Sequence, residues 1–376
     1  MKASLPILLV VFFFSCTPNL EVQSQNQEKK GELRMDFETY EPVSTLVVPE
    51  HLLTQSKYPF IDVHNHQWSM PSMDLERLIA EMDKLNMGVL VNLSGRGRGS
   101  REHLTKSLEN VNAHFPKRFI IFTNVNFGNL DDPNWEENIS RQLEADVAAG
   151  ANGLKVYKSL GLRTKDKFGN RVKVNDPRLD IVWATCGKLG IPVLIHTADP
   201  APFWLPHDEK NERWLELKQR PGRKQDPEKG PTFEELIAEQ HDIFRKHPNT
   251  KFINAHLGWY GNNLAKLGEL MDTYPNMYTE IGAVLAELGR QPRAAKAFLT
   301  QYQDRVMFGK DAWNPAEYHV YFRCLETADE YFDYYRRRHA HWKIYGLYLD
   351  DEVLKKIYYK NAISVIPGID AAQFPE

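Results

Sequence analysis

The sequence is poor in cysteine: only Cys16, Cys186 and Cys324 occur among its 376 residues. Apart from Cys16, which lies near the N-terminus, the chain has only two thiols. A single disulfide between them is compatible with an oxidising compartment but is not implied by it. The fold must therefore rest on a hydrophobic core, and 42% hydrophobic residues over this length are enough for one large domain.

The sequence also lacks an excess of charge of one sign. Its 47 basic and 50 acidic residues give a formal net charge of -3, and they are interleaved along the chain. Binding to a phosphate backbone requires a basic patch or stripe, which is missing here. Nucleic acid is therefore excluded as an expected partner.

Long apolar runs are missing as well. The run at residues 5–14 follows Lys2 and is too short to cross a bilayer as a folded span, so residues 1–15 are predicted to be a secretion signal. Cys16 follows Phe-Phe-Ser and resembles the lipid-modified cysteine of bacterial lipoproteins, although Phe13 replaces a smaller aliphatic residue. We expect an exported protein, lipid-anchored in the cell envelope and facing the periplasm. The alternative is an ordinary signal peptide with an incidental cysteine.

The rest of the chain divides into two parts. Residues 16–57 are polar, without regular periodicity, as in a tether. From Tyr58 to residue 376, short β-branched runs alternate with amphipathic stretches, which is the pattern of repeated βα units. The eight predicted strands cover residues 60–66, 88–94, 119–126, 153–157, 192–197, 251–257, 277–282 and 306–311.

The stretches between the strands have helical periodicity. In residues 73–86 the apolar side chains recur on one face at the 3.6-residue period. Pro177 and Gly190 are placed to begin and end the fourth helix, and the eighth begins near Asp350. Eight βα units predict an α/β fold, a TIM (β/α)8 barrel. The long loops after strands 5 and 8, residues 198–232 and 312–349, are predicted to be lids or substrate walls, or else decorative insertions.

Polar residues that can bind a metal lie at the carboxyl ends of four strands. His64 and His66 are two residues apart on the first strand, so both point to the same side of the sheet. His196, His256 and Asp311 close strands five, six and eight. In a TIM barrel these positions meet at one rim, where active sites are built. We therefore predict that the five residues converge.

This pattern resembles the amidohydrolase superfamily, and within it amidohydrolase family 2, which includes aminocarboxymuconate semialdehyde decarboxylase, resorcylate decarboxylases and lactonases. The resemblance runs from about Tyr58 to Pro367 and includes Tyr-Tyr-Lys-Asn-Ala at residues 358–362, which is similar to the family's closing helix. It implies one divalent metal, usually zinc, bound by four residues. These residues are His64, His66, His196 and Asp311.

The same resemblance implies a mechanism. Imidazole and carboxylate donors suit Zn²⁺, and Mn²⁺ or Fe²⁺ is compatible with them. A metal site with an open position activates water, and Asp311 is placed to accept the proton of that water. His256 is expected to orient the water or to polarise the scissile carbonyl.

Two lysines lie near these positions. Some relatives of the superfamily carry at the position of Lys155 a carbamylated lysine that bridges two metals, so a second ion is expected if Lys155 is carbamylated. If unmodified, Lys155 is a candidate to bind a substrate carboxylate or to balance charge. Lys310 departs from the small polar residue expected beside Asp311; strand alternation turns it away, and we interpret it as structural or solvated.

Candidate substrate contacts lie in the loops at the same rim. Arg96, Arg98 and Arg101 follow strand two in a glycine-broken loop and could bind a carboxylate, or the loop could be merely solvated. Four tryptophans could wall a ring-bearing substrate or simply pack the loops. They are Trp68, Trp204, Trp259 and Trp313.

The sequence thus predicts a hydrolase that cleaves an amide or lactone C–N or C–O bond in a small molecule bearing a carboxylate or ring. Its first alternative is a metal-dependent, non-oxidative decarboxylase of an aromatic or unsaturated acid, which would share the metal ligands. The second is a non-catalytic ligand-binding lipoprotein, but a structural zinc site is normally closed by four ligands, and His256 would be a fifth polar group. An oligomer is compatible with the sequence.

Overall fold

The computed structural model describes residues 35–339 and 342–376. The predicted signal segment, Cys16 and the first half of the predicted tether lie outside these residues. The chain divides into two units, Met1–Val47 and Val48–Glu376. In the first, the amides of Thr39 and Tyr40 both donate to the Asp36 carbonyl, which forms a turn. The second contains all the described strands and helices.

Strands occur in every region where the sequence predicts one. The described strands are β1 Phe60–Asn65, β2 Met87–Asn92, β3 Phe119–Ile121, β4 Thr123–Asn124, β5 Leu154–Val156, β6 Val193–Ile195, β7 Phe252–Asn254, β8 Met277–Glu280 and β9 Val306–Met307. The third predicted strand is split into β3 and β4 at Phe122, which raises the count from eight to nine. Most strands are also shorter than predicted at their carboxyl ends.

All strand pairs are parallel. The order is β1-β2-β3 in one sheet and β4-β5-β6-β7-β8-β9 in the other, with Lys155 beside Leu194 and Ile195 beside Asn254. The Val63 amide donates to the Phe308 carbonyl at 3.0 Å, and the Asp311 amide donates to the His64 carbonyl. These bonds link the first strand to the segment after the last, and the order is that of the predicted TIM barrel.

Helices follow the strands. They are α1 Leu75–Leu85, α2 Arg101–His114, α3 Trp135–Ala148, the kinked α4 Ser159–Leu162, α5 Asp180–Leu189, α6 Trp214–Gln219, α7 Phe233–Lys246, α8 Leu264–Thr273, α9 Leu285–Gly289, α10 Pro292–Gln301, α11 Pro315–Glu326, α12 Asp351–Lys355 and α13 Asn361–Val365. A π-helix at Lys356–Lys360 joins the last two. Parallel strands need such crossovers, which cover the outer face of the sheet.

Local sequence explains where these helices begin and end. The Asp74 carboxylate accepts the amides of Glu76 and Arg77 and caps α1, whose five periodic apolar side chains are all buried. Gly190 ends α5 with a φ of 69°, a left-handed conformation that glycine adopts without a steric penalty. Pro177 opens the 3₁₀ turn that leads into α5, and α12 starts after Asp350, as the sequence predicts.

The two long loops contain secondary structure. Residues 198–232 hold two 3₁₀ turns and α6, and residues 312–349 begin with α11. Cys186 and Cys324 are both buried and free. Within residues 35–339 and 342–376, no helix combines the length and apolar character needed to cross a membrane.

Candidate metal centre

The structure brings three of the predicted ligands together. His64 lies in β1, His66 follows that strand, and Asp311 follows β9. Asp311 Oδ1 lies 3.5 Å from His64 Nε2 and 3.7 Å from His66 Nε2. The ligand atoms of this trio all lie within 4.8 Å of one another, close enough to share one metal ion.

Hydrogen bonds define which imidazole nitrogens carry protons. Nδ1 of His256 lies 2.7 Å from the Gly282 carbonyl, which can only accept, so this nitrogen is the donor. Nδ1 of His64 lies 2.9 Å from Glu280 Oε1, and Nδ1 of His66 lies 2.7 Å from the Ser94 hydroxyl, which can donate or accept. With protons on Nδ1, the Nε2 lone pairs of His256 and His64 are left for a metal or a substrate, and that of His66 is left as well when its Nδ1 donates to Ser94.

His196 joins this cluster through His256. Its ring centroid is 4.5 Å from that of His256, which in turn stacks on His64 at 4.8 Å. His196 Nε2 is buried and has no hydrogen-bond partner among the described residues. A buried imidazole nitrogen without a partner is costly, and metal ligation would satisfy it. The donor set therefore fits a divalent metal.

The protonation states suit the same role. Burial lowers the pKa of His64 to about 3 and that of His256 to about 4, and it holds the pKa values of His66 and His196 well below the usual range. Burial alone would raise the pKa of Asp311. Interactions with His64, His256 and His66 outweigh that effect and hold the pKa well below its ordinary value. At neutral pH the cluster therefore offers neutral imidazoles and an ionised carboxylate, the forms that bind metals.

Lys155 lies inside the cluster. Its residue is only 1% exposed, and its Nζ is 3.3 Å from His64 Nε2. Burial lowers the pKa of this ammonium to about 8. The hydrogen bond uses the same lone pair that a metal would take, so metal binding at His64 Nε2 must displace Lys155 from it.

Two carboxylates that sequence reasoning missed support the site. Glu280 ends β8 and accepts the backbone amide of His256 at 2.7 Å as well as bonding His64. Asp62, in β1, accepts the amides of His64 and Lys310 at 3.0 and 3.1 Å. Burial raises the pKa of Asp62 to about 6. A carboxylate within an otherwise apolar strand, as in Phe-Ile-Asp-Val-His, was the available signal.

The arginines of the loop after β2 differ in environment. The guanidinium of Arg96, 7% exposed, makes a bidentate ion pair with Asp146 at 2.8 and 3.0 Å. Arg96 therefore supports the loop, which corrects its prediction as a substrate contact. Arg98 instead lines a cleft of about 520 Å³ with Trp68, Gly97 and Tyr157.

The cleft adjoins the trio through stacked rings. Trp68 and Tyr157 each lie 5.7 Å from the ring centroid of His66, with interplanar angles of 12° and 28°. Trp68 and Tyr157 also stack on each other at 6.0 Å. This aromatic floor leads from solvent to His66.

Two other tryptophans donate hydrogen bonds to groups of the chain itself. The Trp204 indole donates to the Pro231 carbonyl at 2.9 Å, and the Trp313 indole donates to Glu81 at 3.0 Å. Both indole N–H groups are therefore used in packing the loops, one of the two roles that the sequence left open for these tryptophans. Lys310 is fully buried and pairs with Glu317, so it is structural and not solvated.

The chain after β7 makes a left-handed turn. His256, Leu257, Gly258 and Trp259 have φ values of 59°, 53°, 58° and 61°. Left-handed helical geometry costs roughly 1–2 kcal/mol per residue for L-amino acids other than glycine. Asp311, with a φ of 82°, is strained as well. Such strain persists where the surroundings enforce it, commonly at functional sites.

Comparison with known proteins identifies the family of the chain. The family model described as Amidohydrolase (Amidohydro_2) matches residues 61–367, well over half of the chain. No curated protein matches the sequence. The chain is similar to the solved 4-oxalomesaconate hydratase of Rhodopseudomonas palustris, with 14% identity, a TM-score of 0.51, and coverage of 83% of this chain and 97% of the hydratase. At this identity the likeness shows the fold alone.

Two further solved structures are similar. A 2,6-dihydroxybenzoate decarboxylase, complexed with 2,6-dihydroxybenzoate, has 15% identity and a TM-score of 0.49, with 82% of this chain and 99% of the decarboxylase covered. An uncharacterized TIM-barrel protein of Bordetella bronchiseptica has 14% identity and a TM-score of 0.49, with 82% and 98% covered. Because the family match extends from β1 to the end of the last helix and includes every candidate ligand, the chain belongs to the amidohydrolase family of metal-dependent TIM-barrel enzymes.

Proposed function

We propose that this enzyme is a hydrolase that uses a metal-activated water to cleave an amide or lactone bond. The observation that carries the proposal is the position of Asp311. Its side chain is 36% exposed, and its Oδ1 lies 3.5 Å from His64 Nε2 and 3.7 Å from His66 Nε2. A carboxylate that is reachable from solvent at a metal site can take a proton from an incoming water.

His64, His66, His196 and Asp311 are the residues that would hold the metal, with zinc favoured and Mn²⁺ or Fe²⁺ compatible. When bound, such an ion lowers the pKa of water and polarises a carbonyl oxygen. The chain supplies the rest: Asp311 accepts the proton, and His256, held by Gly282 and Glu280, orients the reacting group. The Nδ1–H bond of His256 leaves its Nε2 free for that task.

The cleft beside His66 favours a substrate with a ring and a carboxylate. Trp68 and Tyr157 offer aromatic faces, and the Arg98 guanidinium can bind a carboxylate through two hydrogen bonds. The same observation favours a second candidate reaction, non-oxidative decarboxylation of an aromatic or unsaturated acid. In that reaction the carboxylate would be the group that leaves.

A substrate panel tests the proposal. The purified, zinc-supplemented protein is assayed with simple lactones, anilides and aromatic carboxylic acids, with product and CO₂ measured together, and metal content is determined in the same samples. We expect about one equivalent of metal and turnover of a lactone or anilide without CO₂. CO₂ release from an acid would favour the decarboxylase. Bound metal without turnover of any compound would favour the non-catalytic binding protein.

We also propose that the enzyme is anchored in the cell envelope through Cys16, as its sequence pattern indicates. Replacing Cys16 by Ser removes the thiol that would carry the lipid, so we expect the protein to move from the membrane fraction to the soluble fraction. Wild-type and variant proteins are compared by fractionation. An unchanged distribution would contradict the lipid anchor and leave the proposed reaction untouched.

A further inference from the structure

Trp259 ends the left-handed turn that begins at His256. Three of the four residues in this turn are not glycine, and all four are buried. Even Gly258 is tightly packed, since a Cβ there would lie 2.4 Å from the Asn254 amide nitrogen. The backbone of this turn is therefore strained, and the strained conformation brings the side chains of His256 and Trp259 together.

The indole of Trp259 packs against two site imidazoles. Its ring centroid lies 4.6 Å from that of His256 and 5.6 Å from that of His196. The residue is 9% exposed. It therefore forms part of the wall of the metal centre, on the side where His196 and His256 lie.

The indole N–H of Trp259 has no acceptor within hydrogen-bond distance in the part of the chain that the structure describes. A buried donor in this state costs about 1–3 kcal/mol. Trp183 is in the same state, but it packs between Phe127 and Phe252, away from the site imidazoles. The lack of an acceptor alone does not define a site; its combination with the two imidazole contacts is specific to Trp259.

Among the described residues the centre holds several acceptors, and the Lys155 ammonium is a donor that already bonds His64 Nε2. With their Nδ1 atoms bonded to Gly282 and Glu280, His256 and His64 offer Nε2 lone pairs, and Asp311 is a carboxylate. A substrate oxygen that gains negative charge needs donors, which catalytic sites provide in fixed positions. An indole N–H only donates, and it does so at every accessible pH.

We propose that the indole N–H of Trp259 donates a hydrogen bond to a carboxylate or carbonyl oxygen of the substrate at this centre. The inference rests on the proposed function, because that function is what places a substrate at the centre. It adds a requirement on the substrate: its reacting group must present an oxygen acceptor on the side where His196 and His256 lie. A substrate without that acceptor would leave a buried N–H unpaired, so the site discriminates against it.

The test uses benzoate, the simplest aromatic carboxylate, and the full chain labelled with ¹⁵N-tryptophan and loaded with zinc. The sequence has eight tryptophans, and the indole resonance lost in Trp259→Phe identifies that of Trp259. On saturation with benzoate, we expect the Trp259 resonance to move downfield. The indole resonances of Trp183 and Trp204 serve as matched controls and should stay in place, because one is remote from the imidazoles and the other already donates to Pro231.

A second measurement compares benzoate affinity in the two proteins. Trp259→Phe keeps an aromatic ring and loses only the N–H, so we expect affinity to fall about 10- to 100-fold, as for a lost hydrogen bond to a charged group. An unmoved Trp259 resonance at saturation, or wild-type affinity in the folded variant, would overturn the inference. The proposed function fails separately, through absence of turnover in the substrate panel.

Discussion

At the scale of single residues, Asp311 and His256 share one cluster but differ in their bonding. Asp311 faces the Nε2 atoms of His64 and His66 and is ionised. His256 is bonded by its ring to Gly282 and by its backbone to Glu280, so the protein itself holds it in place. Removing the Asp311 carboxylate should weaken metal binding and turnover together. Removing the His256 imidazole should lower turnover alone.

We expect Asp311→Asn to lower turnover by about 10²–10⁴-fold and to bind the metal more weakly, because a charged ligand and the proton acceptor are both lost. His256→Asn should keep most of its metal and lose most of its turnover, since an oriented donor or acceptor matters chiefly in the transition state. Metal content and rate are measured on the same preparations. Loss of metal in proportion to activity in His256→Asn would make His256 a ligand, and a fully active Asp311→Asn would refute the hydrolytic mechanism.

Replacing Lys155 tests how many metal ions the centre binds. As an ammonium 3.3 Å from His64 Nε2, it competes with a metal for one lone pair. Lys155→Met keeps most of the side-chain length and removes the charge, so we expect the metal to bind roughly tenfold more tightly. Zinc affinity is compared with that of Lys165→Met, an exposed lysine with the same change in net charge. Weaker binding and loss of a second metal equivalent would instead indicate a carbamylated Lys155 bridging two ions.

At the scale of elements, the loop at residues 198–232 is held by buried charges. Glu216, in α6, is fully buried, with Arg213 Nε 3.0 Å from its carboxylate and with Arg223 and His339 as further partners. Asp199, just after β6, pairs with Lys158 and Arg223. The loop is thereby tied to the rim of the barrel and to the loop after β9.

Glu216→Ala should therefore loosen this loop. Removing one partner of a buried ion pair costs up to about 3–5 kcal/mol. The cost is smaller here, because Arg223 keeps Asp199 and Arg213 keeps Glu287 as a partner. We expect faster amide hydrogen exchange in peptides from residues 198–232, with the strands protected as before. Glu209→Ala, which removes an exposed carboxylate of the same loop, is the control and should exchange like the wild type. Equal exchange in both variants would show that the charges do not hold the loop.

The strands and their order could be predicted because β-branched runs and helical periodicity are local features of the sequence. The ends of the strands could not, because Ala198, His256 and Asp311 adopt left-handed backbone that alternation does not reveal. The same limit explains Glu280 and Asp62, which bond residues distant in the sequence, His64 and Lys310 respectively. An arginine in a loop such as Arg96 has the same local pattern whether it binds substrate or pairs with a buried Asp146.

At the scale of the whole molecule, the barrel buries several histidines whose pKa values lie well below neutral pH, so these side chains are uncharged at pH 7. Burial lowers the pKa values of seven of them, counted among the described residues. They are His64, His66, His196, His241, His256, His319 and His339. In the unfolded chain a histidine has a pKa of about 6.5, so between that value and the folded pKa the unfolded state binds more protons.

The free energy of unfolding is expected to fall as the pH is lowered from 7. Because the unfolded state takes up more protons as the pH falls below about 6.5, acid stabilises it relative to the folded state. Asp62, whose pKa is raised to about 6, and Glu280 and Glu326, whose pKa values are also raised by burial, oppose this trend, since their folded forms bind protons first. Three groups oppose seven, so the histidines should dominate between pH 7 and 5.

We therefore expect the metal-free protein to lose free energy of unfolding by roughly 2 kcal/mol or more between pH 7 and 5, since one pKa unit of a buried histidine corresponds to about 1.4 kcal/mol. Urea unfolding at several pH values measures it. A metal held by the site histidines should add stability at pH 7 and lose this extra contribution as protons compete for the same nitrogens. His241→Gln, outside the metal centre, should reduce the slope for the metal-free protein without changing the stabilisation by zinc. A metal-free protein equally stable at pH 7 and 5 would mean that these histidines protonate in the folded state, and the neutral donor set assigned to the centre would then be wrong.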